Sequence, residues 1–251
     1  MKTFAIILAL VFVAFLFRCT SLGDQRGDVR YRIAVEVETP EGTKTGSGVI
    51  ESRLIRPSWD FREYHDSLAG EAIPVDLGKA GTVYFTLAGN ASSYEKAGRI
   101  DDKWDGFYGL WNDLLPTEAE MKKRCWGRIP FCRQTALSKI RKPVELPFDA
   151  HPLLVRFANE ADPQSIEYVS PGGTAMTKAF GPGIYLRRTT IVPTSDRTTT
   201  GITKRLPWID KMLAQYPGIR ADGGIHGLTN WQFAPLPHQF YIKYLKMEHR
   251  P

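Results

Sequence analysis

Tyr31-Arg32-Ile33-Ala34-Val35-Glu36-Val37-Glu38 puts Tyr31, Ile33, Val35 and Val37 on one face and Arg32, Glu36 and Glu38 on the other. That period of two predicts a β-strand with one buried face. Thr39-Pro40-Glu41-Gly42-Thr43 follows, with a proline at a turn position and a glycine able to take positive φ, so residues 44–53 are expected to return as the second strand of a hairpin. Gly46 and Gly48 on that strand predict a bulge or a close approach of another backbone. A second hairpin is expected from residues 71–77 and 82–87 around Gly78-Lys79-Ala80-Gly81, and a four-stranded antiparallel meander is the simplest way to join the two.

Working outward, residues 56–68 are aromatic and charged without clean periodicity and read as a loop over a sheet edge. Helices are expected at residues 118–124, where Thr117 and Glu120 form a capping box, and at 134–141, ended by Pro143. Residues 153–157 and 165–169 read as apolar runs and residues 183–192 as a further strand. Residues 207–216 form a helix opened by Pro207 and closed by Pro217-Gly218, and residues 240–245 form a last strand or docking segment. The expected class is α+β: an antiparallel sheet of hairpins, with helices in the middle and near the C-terminus, after an N-terminal hydrophobic segment. The expected organisation is residues 1–23 as signal peptide or signal anchor, 24–30 as linker and 31–251 as one α+β domain.

From Phe4 to Phe17 every residue is Ala, Ile, Leu, Val or Phe, with Lys2 before the run and Cys19-Thr20-Ser21 after it. This matches the three regions of a secretory signal, and an uncleaved anchor is the rival. Arg18 ahead of Cys19 argues against lipidation, because a small residue normally precedes a modified cysteine. Arg18, Arg26, Arg30 and Arg32 follow the run, and the positive-inside rule alone would keep the body cytoplasmic. Cys125 and Cys132 pull the other way: an even pair at short separation fits a disulfide made in an oxidising compartment such as the periplasm, against the alternative of two buried thiols. Export with a tether or cleaved signal is the reading adopted, with a cytoplasmic-facing anchor still open.

The 251 residues carry a net charge of +6. Removing Lys2 and Arg18 leaves 31 basic against 27 acidic residues, +4, scattered along the body, so no nucleic-acid partner is expected. No cofactor or metal is expected either. Gly46-Ser47-Gly48 has the wrong spacing for a nucleophile elbow. Ser170-Pro171-Gly172-Gly173-Thr174 lacks the lysine and length of a P-loop and reads as a turn.

The weak catalytic candidates are His226 with Asp222, in Asp222-Gly223-Gly224-Ile225-His226-Gly227-Leu228-Thr229-Asn230, and His151 with Asp149. In each, a carboxylate near an imidazole is the pairing that orients a general base. Trp104, Tyr108 and Trp111 fit one helical face, which means core packing or, if exposed, a patch for a partner, sugar or lipid.

Val35-Glu36-Val37-Glu38-Thr39-Pro40-Glu41-Gly42, Gly46-Ser47-Gly48-Val49-Ile50-Glu51, residues 70–77 and Ile202-Thr203-Lys204-Arg205-Leu206-Pro207-Trp208 resemble segments of bacterial hypothetical proteins. The resemblance implies a bacterial origin and a single body, and it brings no activity, cofactor or catalytic residue with it. The expected function is a membrane-associated or exported, non-catalytic binding or assembly module of the cell envelope, with an unidentified protein or small-molecule partner and the membrane itself met through residues 1–23. The alternative is a hydrolase using His226 or His151.

Overall fold

The structure is a computed structural model that describes residues 25–56, 65–87, 135–136, 138–147, 151–172, 174–215 and 246–247. The expectations on residues 1–23 and on the helix at 118–124, the Trp104 group, Cys125, Cys132, Asp149, Asp222, His226 and residues 240–245 lie outside these.

Among the described residues, ten strands form two antiparallel sheets. They are β1 (Gln25–Glu38), β2 (Lys44–Arg56), β3 (His65–Glu71), β4 (Ile73–Asp76), β5 (Thr82–Phe85), β6 (Val144–Glu145), β7 (Leu154–Phe157), β8 (Ile166–Val169), β9 (Tyr185–Pro193) and β10 (Lys246–Met247). The first sheet runs β10-β3-β2-β1-β9-β6 and the second β4-β5-β7-β8. The helices among the described residues are short: α1 (Thr174–Phe180), α2 (Ile202–Arg205) and α3 (Trp208–Gln215). The body is therefore sheet-rich within the expected α+β class.

The β1–β2 hairpin forms as the alternation requires. Tyr31, Ile33, Val35 and Val37 are buried, and Arg32, Glu36 and Glu38 lie on the partly exposed face. Its turn closes through Gly42 N–H to the Thr39 carbonyl at 2.9 Å and Thr39 Oγ1 to the Gly42 carbonyl at 2.7 Å, with Gly42 at φ 109°. That φ suits a residue without a Cβ.

Two expectations need correcting. Residues 25–30, read as linker, are strand: β2 extends to Arg56 and offers backbone partners down to the Gln25↔Arg56 pair, so pairing continues past the alternating core segment. The single meander is instead split. Residues 65–68, the end of the expected loop at 56–68, belong with residues 69–71 to β3 on β2, and at Ala72 the chain leaves that sheet and starts the second one as β4. A strand that switches sheets at a bend is the way two packed sheets make a corner. Gly46 and Gly48 make the packing possible. A Cβ on Gly46 would lie 2.4 Å from the Pro74 carbonyl oxygen, and one on Gly48 would lie 2.8 Å from Ile73 Cγ1. The close-approach reading of these glycines is the one the fold uses.

Between the sheets lie Ile33, Val35, Ile50, Ile73, Val75, Val83, Phe85, Leu154 and Ile191, closed at one end by Met176 and Phe180 of α1. Arg156 fastens α1: it donates to the Ala179 carbonyl, pairs with Glu167 at 2.7 Å and lies over the Phe180 ring at 5.6 Å. The second sheet is buried on its other face too. There Phe157 meets Tyr84 edge-on at 5.5 Å and Trp208 of α3 at 5.7 Å. The helix expected at 207–216 is thus α3, covering the second sheet.

Candidate functional site

Of the four catalytic candidates only His151 is among the described residues. It stands just before β7, 4% exposed, with its ring edge-on to Phe85 at 6.3 Å. Ser47 sits on the exposed face of β2, and Ser170 accepts from the Gly172 N–H at 3.2 Å in a short turn ahead of α1. No group of three or more His, Cys, Asp or Glu among the described residues is placed to hold a metal ion.

The densest polar constellation among the described residues is one the sequence did not reveal. Arg205, at the end of α2, donates to Asp76 Oδ2 at 3.0 Å, Thr82 Oγ1 at 2.9 Å and Glu160 Oε1 at 3.4 Å. Glu160 also accepts the Tyr84 hydroxyl at 2.6 Å, and its backbone carbonyl accepts the Trp208 indole N–H at 3.0 Å. Four separate segments thus meet around one guanidinium, whose planar fork suits several acceptors at once. Burial and the hydrogen bond to the Glu160 carboxylate push the Tyr84 phenol well above its ordinary value, so it stays a donor. The only local sequence signal was the Ile202-to-Trp208 stretch, which contains Arg205 and Trp208.

A second polar surface covers the outer face of the first sheet. Arg188 donates to Glu36 Oε1 at 2.8 Å, Arg30 to Glu51 at 2.7 Å and Arg32 to Asp196 at 2.5 Å. A bulge opposite Glu36/Val37 leaves Arg187 without a register partner, and Arg187 and Arg188 both reach Glu36, at 3.9 and 2.8 Å. Two successive exposed arginines inside a strand were the legible sign of this bulge. Arg188–Glu36 and Arg30–Glu51 join neighbouring strands and Arg32–Asp196 ties the chain beyond β9 to β1; the exposed pairs are of modest energy, while Glu51 is buried.

The charge pairs set an acid-side pH dependence. The Arg205 hydrogen bond, then the Gly78 N–H, hold the Asp76 carboxyl below its ordinary value; Arg188 does the same for Glu36, and Arg32 for Asp196. A carboxyl whose folded value is depressed adds stability above its unfolded value, and that stability is lost as pH falls through the folded value. Stability is therefore expected to decline below about pH 4. Arg205→Met is expected to flatten part of that decline, because Asp76 then loses its main partner. Denaturation midpoints between pH 2.5 and 6 check this, and identical pH slopes for parent and variant would refute it.

No protein-family model, curated protein or solved structure matches this chain.

Proposed function

We infer that this chain is an envelope protein, delivered to or across the membrane by residues 1–23, that works as a non-catalytic binding or assembly module. The observation that carries the reading joins sequence and fold. The apolar run ends at Phe17, and β1 is already paired at Gln25, so only residues 18–24 separate the two. Seven extended residues span at most about 25 Å. If the run is kept as an anchor, the sheet body is held against the bilayer surface, which favours work on what is found there. The burial of His151 against Phe85 favours a packing role for that histidine over a catalytic one. No helix among the described residues is long and apolar enough to cross a membrane, so the reading rests on residues 1–23.

Fractionation of the full-length chain expressed in a bacterium tests the reading. The expected result is recovery in the membrane fraction, or in the periplasm with residues up to about Ser21 removed, since an uninterrupted apolar run partitions into lipid. Recovery in the cytosol with an intact N-terminus would overturn it. Non-reduced peptide mapping of the same material is expected to show Cys125 linked to Cys132. Two free thiols would favour the body facing the cytoplasm.

A further inference from the structure

β3 pairs with β2 only at residues 51–55 and then turns away into the second sheet, which leaves the β2 edge before Glu51 without a strand neighbour on that side among the described residues. The chain after β9 fills part of this gap. Thr194 N–H still bonds the Arg30 carbonyl of β1 at 2.9 Å, and Arg30 and Arg32 then hold residues 195 and 196 on the outer face. By Thr199 the segment has reached the far edge of β2, where the Thr199 N–H bonds the Val49 carbonyl at 3.0 Å and Thr199 Oγ1 accepts from the Val49 N–H at 2.8 Å. Residues 195–198 therefore cross the solvent face of β1 and β2. This explains why Val49, on the same face as Arg32, is only 2% exposed.

The segment is fastened next at the corner where β3 leaves the first sheet. The buried Glu71 carboxylate accepts the Ile202 N–H, the first of α2, at 2.7 Å. The backbone of Glu71 is also the register partner of Lys246 in β10. Beyond Glu71 the segment reaches the second sheet through Arg205 and Trp208.

We propose that residues 194–206 form a strap latched at Glu71, and that opening the latch releases α2 and α3 from the second sheet while both sheets stay folded. The sheets hold each other through the core between them, whereas α2 and α3 join the body through the strap, the Arg205 cluster and a separate layer that buries Ile202, Leu206, Trp208, Ile209 and Met212 outside that core. The strap is thus the element of lower local stability, the kind that opens without global unfolding. A charge-assisted hydrogen bond from a backbone N–H to a buried carboxylate is among the stronger single contacts, so the latch position is the one that governs opening.

Hydrogen–deuterium exchange on the full-length protein tests this with Glu71→Ala and Glu71→Gln. In Glu71→Ala, amides of residues 199–215 are expected to exchange about tenfold faster, the factor for losing one such bond, with β1, β7 and β9 unchanged. Trypsin cleavage at Lys204 and Arg205 should accelerate in parallel. Glu71→Gln keeps a side-chain carbonyl to accept from Ile202 and is expected to stay near the parent. Unchanged exchange at 199–215 in Glu71→Ala, or acceleration spread evenly over all strands, would overturn the proposal. If Glu71→Ala does not fold, Thr199→Val, which removes only the acceptor for Val49, decides on the same two criteria.

Discussion

Gly46→Val is expected to destabilise the body by about 3 kcal/mol or more, at the upper end of what overpacking costs. Local propensity argues the opposite, since valine suits a strand better than glycine by roughly 1 kcal/mol. The tertiary term wins because the first new atom meets main chain: the Cβ would lie 2.4 Å from the Pro74 carbonyl oxygen and 2.9 Å from Val75 Cγ2. Backbone of β4 cannot swing aside as a flexible side chain can, and its residues are paired to β5 along the whole strand. The control is Ser47→Val, one position along on the exposed face, where a change within about 0.5 kcal/mol is expected. Chemical denaturation of both variants checks the pair. Equal stability for Gly46→Val and the parent would show that β4 does not lie across β2.

Phe85→Ala is expected to cost about 3–5 kcal/mol, the range for emptying a buried aromatic site. Phe85 is 1% exposed in the core between the sheets, paired with Ile73 on one side and Leu154 on the other. It also supports the His151 ring, so the cavity would open beside a buried imidazole. Its neighbour Tyr84 makes the informative contrast. Tyr84 points to the opposite face of β5, towards Glu160 and Phe157, and Tyr84→Phe removes only the hydroxyl bonded to Glu160. That loss is expected to cost about 1–2 kcal/mol, since Glu160 keeps Arg205 as a donor. Thermal or chemical denaturation should rank the two variants in this order. A reversal would mean that the polar cluster on the outer face, rather than the inter-sheet core, carries the second sheet.

The parts of this protein that were legible in its sequence are those whose cause is local. Alternation from Tyr31 to Glu38 and the Thr39-to-Thr43 turn specify the first hairpin, because the side-chain period of a strand decides which residues are buried. The same logic reaches the β4–β5 hairpin around Gly78–Ala80, the strand β9 and α3 behind Pro207, while β7 and β8 showed only as apolar runs. The uninterrupted run from Phe4 to Phe17, and with it the membrane reading, likewise belongs to sequence alone.

Tertiary structure decided what depends on partners far away in the chain. β3 has no alternation to announce it, because it forms by backbone pairing with β2, and backbone hydrogen bonds carry no residue signature. The division into two sheets follows from the bend at Ala72 and from two glycines whose missing side chains matter only once β4 lies over them. Arg205 finds Asp76, Thr82 and Glu160 across 129, 123 and 45 positions, and Glu71 meets Ile202 across 131. His151 reads as a base beside Asp149 in the linear chain, and its edge-on contact with Phe85 exists only once β5 and β7 are paired. Separations of that length leave no periodicity to read, since the geometry that joins such residues exists only after the two sheets have closed on their common core.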